Sequence, residues 1–144
     1  ALMQAAMNMT LAVHQATASM LYAGISTPEV EVFIKRAHQA VGAPGNYFCI
    51  VLFGVATSFP HGVKDAQVLK AGDMVLIDTG CKVHNYLSDI TRTYVFGEPT
   101  SRQRQFWDHE KAAQLAAFNA AKIGVPCEAV DDAARGYLAS QGLG

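Results

Sequence analysis

The sequence predicts an α+β fold in which helices pack on a largely antiparallel sheet. Apolar residues recur at steps of three and four from Ala1 to Val41, short aromatic and β-branched runs follow, and helical spacing returns after Gly97-Glu98-Pro99. Helices on both sides of a block of strands fit this class better than a wound parallel sheet, in which strands and helices alternate.

From Ala1 to about Ala23, Leu2, Ala6, Met9, Val13, Ala16, Met20 and Leu21 form a helical stripe, and Gly24 supplies a stop. Thr27-Pro28-Glu29 then offers a capping hydroxyl, an early proline and a first-turn acid for a second helix ending near Gly42. Gly42-Ala43-Pro44-Gly45-Asn46 is a turn cluster, and Tyr47 to Phe53 reads as a buried strand. Gly72-Asp73 turns the chain into Met74-Val75-Leu76-Ile77-Asp78. Gly80 to Asn85 folds it back into Tyr86 through Phe96, giving a long β-hairpin. Thr100 or Ser101 opens a helix that Gly124 ends, and a shorter one runs from about Cys127 to Ala139.

A chain of 144 residues, 51% hydrophobic and 16% charged, is expected to form one domain or part of one. A net charge of −1 gives no basis for binding nucleic acid or an anionic membrane. No apolar run approaches the roughly 20 residues that span a bilayer. The three cysteines are odd in number, widely spaced and unlike a zinc or redox motif, which suits a reducing, cytoplasmic setting. Both ends fall at helical sequence, so the expectation is a truncated domain. The sequence is compatible with a homodimer.

The chemistry concentrates on the hairpin. Asp78 follows four apolar residues, where an ionised carboxylate costs several kcal/mol unless it is paired, hydrogen-bonded or bound to a metal. Ten residues separate it from Asp89, so the two can meet as cross-strand neighbours. Like charges that close resist joint ionisation, and divalent cations would relieve this while activating water. Strand alternation puts Thr91 and Thr93 on the face of Asp89, with Thr91 able to orient a ligand, and turns Arg92 to the other face. Asp78 also fits a turn-initiating aspartate, and Asp89 a turn cap or a partner of Arg92; spacing alone does not choose.

Ser58-Phe59-Pro60-His61-Gly62 places a histidine in a loop between strands, where it could stabilise developing charge or stand merely exposed. His14, His38 and His109 lie in helical patterns and His84 in the hairpin turn, and none receives a function.

Phe59-Pro60-His61-Gly62, Gly72-Asp73 with the run into Asp78 and Gly80, Tyr86-Leu87-Ser88-Asp89-Ile90-Thr91-Arg92-Thr93 and Gly97-Glu98-Pro99 occur in the order that resembles the pita-bread metallopeptidases. The segment from Pro60 to Gly62 and that from Asp89 to Thr93 look most like the Xaa-Pro dipeptidase and aminopeptidase P branch. The metal-free creatinase-like relatives generally lack the aspartate pair. The resemblance implies an incomplete pita-bread fold and two divalent ions, manganese, cobalt or zinc. Asp78 would chelate one and Asp89 would bridge both, with one histidine and two glutamates to follow beyond Gly144. It implies a peptide substrate with proline at the second position, steadied by His61. A non-catalytic binding module and a hydrolase of small amides are the alternatives on the same scaffold.

Overall fold

The computed structural model describes residues 1–143, and the chain divides into two compact units, Ala1–Glu98 and a helical pair from Pro99 onward. The first unit runs α1 (Leu2–Met20), α2 (Thr27–Ala40), β1 (Asn46–Phe53), β2 (Met74–Val83), β3 (Tyr86–Leu87) and β4 (Ile90–Val95). A short 3-10 turn, Gly54–Ser58, follows β1. β2 lies at the centre, with β1 antiparallel along one side and β3 and β4 antiparallel along the other.

One face of this sheet carries the core. Val75 and Ile77 of β2 pair with Phe53 and Val51 of β1 and pack with Val13 of α1 and Val30 and Ile34 of α2. Burying each such side chain stabilises the fold by about 1.5–3 kcal/mol, so this seam fixes which face of the sheet turns outward. A one-residue slip of β2 would exchange the two faces.

α1 departs from the expected stripe. Its buried residues are Ala6, Thr10, Val13, His14 and Thr17, whereas Leu2 and Ala16 are exposed. The helix turns a partly polar face inward because hydrogen bonds satisfy Thr10 and Thr17, and His14 at one of its ring nitrogens. At α2 the cap is Ser26, one residue before the expected Thr27. The Glu29 carboxylate accepts hydrogen bonds from the Ser26 amide at 2.9 Å and its hydroxyl at 2.5 Å. Thr27 is buried and accepts the Gln67 amide at 3.3 Å.

β1 is buried only at Val51-Leu52-Phe53; its first five residues are half-buried or exposed. β2 does not end near Asp78 but continues to Val83. It turns at His84 and Asn85, whose φ values of 46° and 69° suit a two-residue hairpin. The returning arm is interrupted, because Ser88 and Asp89 belong to neither β3 nor β4.

In the second unit, α3 (Ser101–Ala120) starts with a capping box in which Thr100 and Gln103 satisfy each other's backbone amides. It packs on α4 (Cys127–Ser140), where His109 Nδ1 and the Tyr137 hydroxyl lie 3.2 Å apart. Among the described residues no helix is long and apolar enough to cross a membrane.

Burial lowers the pKa values of His14 and His38 below the ordinary 6.5, as loss of hydration disfavours the imidazolium. The unfolded chain therefore takes up protons that the fold resists. The stability contributed by the neutral rings is full above pH 6.5 and is lost as pH falls toward the depressed folded values. The urea midpoint is expected to fall on acidification through this window and to fall less steeply in His38→Gln. An identical acid slope in that variant would rule out His38 as a contributor.

Candidate active site

β2, β1 and β4 set the register of the outward face. Asp78 pairs with Ile50 on β1 and with Thr91 on β4. Thr79 pairs with Ile90, and Lys82 with Leu87, so one continuous register carries Asp89 opposite Gly80. Asp89 is thus the diagonal neighbour of Asp78, and the residue directly across from Asp78 is Thr91. The aspartates are therefore cross-strand neighbours on the diagonal and not a directly opposed pair. Both still project from the same face, since residues two apart on a strand share a side.

The two carboxyl groups interact across this diagonal. Lost hydration, then the negative charge and hydrogen bond of Asp78, raise the Asp89 pKa above its ordinary value. Asp89 is exposed and Asp78 half-buried, yet Asp78 Oδ1 is fully buried and has no hydrogen-bond partner. An uncompensated acceptor of this kind costs about 1–3 kcal/mol. Two adjacent carboxylates, one with a buried empty lone pair, suit a hard or borderline divalent cation. Among the described residues no group of three His, Cys, Asp or Glu side chains gathers to hold an ion, so an ion at this pair would find only part of its coordination shell there.

The loop bearing His61 follows the 3-10 turn. Its chain reverses through the Gly62 amide, which donates to the Phe59 carbonyl at 2.9 Å, and Gly62 takes a φ of 81°. A Cβ at Gly62 would stand 3.8 Å from Ile50 Cγ2 and 3.9 Å from Leu52 Cδ2. Ile50 is the register partner of Asp78, so the loop crosses the face that carries the aspartates, with His61 exposed on it. Thr91 is exposed on that face too, and Arg92 turns to the opposite one, where it pairs in register with Ile77.

Tyr47 is the residue that sequence reasoning missed. The β1 register shifts between Asn46 and Phe48, leaving Tyr47 as the extra residue of a bulge. Burial, then the charges of Asp89 and Asp78, raise its phenol pKa, so the ring borders the acidic pair. No local signal announces a bulge in an otherwise regular strand. Cys49 is not a nucleophile here, because burial pushes its thiol up to about 12.

The sequence model of metallopeptidase family M24 matches residues 1–144. The chain belongs to metallopeptidase family M24. It is 33% identical over 127 residues to an uncharacterized peptidase of Staphylococcus aureus, a match covering 88% of this chain and 36% of the relative. It is 37% identical over 95 residues to an Xaa-Pro dipeptidase of Pyrococcus horikoshii, covering 66% of this chain and 27% of that protein. Among solved structures, the X-Pro aminopeptidase of Thermotoga maritima superposes with a TM-score of 0.92 at 30% identity, covering 98% of this chain and 40% of its own. The prolidase of Pyrococcus furiosus gives 0.91 at 30% identity, covering 98% and 42%. This M24 chain therefore has the α+β, pita-bread type of fold and spans less than half the length of these relatives.

Proposed function

We propose that the full-length protein is a metal-dependent exopeptidase that hydrolyses the bond between an amino-terminal residue and proline. The observation that carries this reading is the Asp78–Asp89 pair on the open face of the sheet, with Asp78 Oδ1 buried and unpartnered. The M24 family and the Xaa-Pro peptidases among the relatives support the substrate class.

Asp78 and Asp89 would hold two divalent ions, manganese, cobalt or zinc, with one histidine and two glutamates expected from elsewhere in the full-length protein. When bound, the ions neutralise the two carboxylates and supply Lewis acidity toward a peptide carbonyl. Thr91, directly across from Asp78, presents a hydroxyl that orients the acidic pair. His61, on the loop that crosses the same face, donates a hydrogen bond to the substrate carbonyl and to the charge that develops on its oxygen. Ile50 and Leu52 give the loop an apolar seat, which keeps the ring within reach of that face.

The test is a substrate panel with the full-length protein, stripped of metal and reloaded with manganese, cobalt or zinc in turn. Cleavage of dipeptides with proline second, and little of their alanine counterparts or of creatine, is expected. Equal cleavage by the stripped enzyme would sink metal dependence. Preference for creatine would replace the peptide reading.

A further inference from the structure

His14 and His38 lie on separate helices and connect to the two residues that flank Asp89, His14 directly to Ile90 and His38 through Thr10 to Ser88. His38 Nδ1 is 3.0 Å from the Ile34 carbonyl, which can only accept, so Nδ1 carries the proton and Nε2 of the neutral ring accepts. Nε2 is 3.2 Å from Thr10 Oγ1, which therefore donates to it, and the Ser88 hydroxyl donates to Thr10 at 2.8 Å. The Cys81 amide completes the chain by donating to Ser88 Oγ at 2.9 Å. Thr10, His38, Cys81 and Ser88 are all fully buried. On the other side of Asp89, His14 Nε2 donates to the Ile90 carbonyl at 2.9 Å.

The spacing explains why one helix can hold both neighbours. Thr10 and His14 are one turn apart on α1, a rise of about 6 Å. Ser88 and Ile90 are two residues apart on an extended chain, about 6.6 Å. Asp89, between them, necessarily points to the other side of the sheet. The anchoring acts where the strand ladder is broken. The Ser88 amide still donates to the Cys81 carbonyl at 3.0 Å, but the Cys81 amide bonds the Ser88 hydroxyl instead of its carbonyl. The displaced Ser88 carbonyl turns toward Gly80.

We propose that Thr10, His14 and His38 are positioning residues for Asp89, fixing Ser88 and Ile90 from behind the sheet so that the Asp89 carboxylate is held where a divalent ion needs it. This rests on the reading of Asp78 and Asp89 as metal ligands. The readout is manganese affinity of the full-length protein, followed by the electron paramagnetic resonance signal of free Mn²⁺, together with the melting temperature of the metal-free form.

Thr10→Val keeps the side-chain shape and removes the relay hydroxyl; it is expected to weaken Mn²⁺ binding about 10-fold or more, and Thr10→Ser to restore it. His14→Leu is expected to act likewise, with recovery in His14→Gln, which retains a donor. This second pair decides the matter if Thr10→Val does not fold. In an Asp89→Asn background, Thr10→Val should cause no further loss of affinity, since the relay acts through the carboxylate already removed. A merely structural role would instead lower the metal-free melting temperature and weaken binding equally in both backgrounds, which overturns the proposal. Unchanged affinity in both Thr10→Val and His14→Leu overturns it as well. If Asp89→Asn alone binds Mn²⁺ as tightly as wild type, the metal-ligand reading falls first and this proposal falls with it.

Discussion

Asp89→Asn in the full-length protein is expected to lower metal-dependent cleavage by about a thousandfold or more while leaving the metal-free fold intact. The size follows from charge: removing a carboxylate from the proposed metal site would forfeit several kcal/mol of stabilisation, and each 1.36 kcal/mol is a factor of ten in rate. The direction of the stability change separates this from damage to the fold. In the metal-free protein Asp89 and Asp78 are like charges on diagonal positions of one sheet face, with Asp78 Oδ1 buried and unpartnered. Asn removes one of the charges and adds an amide donor, so the metal-free melting temperature is expected to hold or rise. Protection of the fold by added Mn²⁺, which should be large in wild type, should shrink in the variant. Full retained activity would remove Asp89 from the metal site.

Much of this face is legible in the sequence. The run Met74 to Asp78 announces a strand, and the Tyr86 to Thr93 segment announces its return, because side-chain alternation and apolar runs are local properties. The turn at His84 and Asn85 lies within the expected Gly80 to Asn85 segment. What local pattern could not supply is how the two arms meet. Asp78 pairs with Thr91 because β2 runs past Gly80 to Val83, which moves the turn and shifts Asp89 to the diagonal. The bulge at Tyr47 depends on a third strand, and the burial of His14 and His38 depends on the Ile90 carbonyl and the Thr10 hydroxyl that meet them only in the folded chain. In the sequence those histidines are two polar residues in helical spacing, and nothing nearby distinguishes them from exposed ones. The capping box at Ser26 was legible in principle, since Ser26 and Glu29 have the spacing of that motif, but the adjacent Thr27 offers a competing hydroxyl.

Gly80→Ala and Gly136→Ala are expected to move stability in opposite directions, and the contrast tests how closely the site is built. A Cβ at Gly80 would stand 1.8 Å from the Ser88 carbonyl oxygen and 2.9 Å from Tyr47 Cε1. The first of these is backbone, so it cannot rotate away; relief requires Ser88 to retreat from the sheet. That movement would stretch the contacts of Ser88 with Thr10 and the Cys81 amide and carry Asp89 with it. A cost of about 3 kcal/mol or more is expected, placing the change among the severe single substitutions. For a unit of this size that corresponds to a fall in melting temperature of more than about 10 °C. Gly136 lies inside α4, and a Cβ there would meet nothing within 4 Å. Alanine at that position relieves the entropic cost of glycine in a helix and should stabilise the helical pair by about 0.5–1 kcal/mol. Thermal unfolding monitored separately in the two units, by amide hydrogen exchange with temperature, reads both changes. A Gly80→Ala protein that melts like wild type would mean that Ser88 is free to move, and the close approach that places Asp89 beside Asp78 would lose its physical basis.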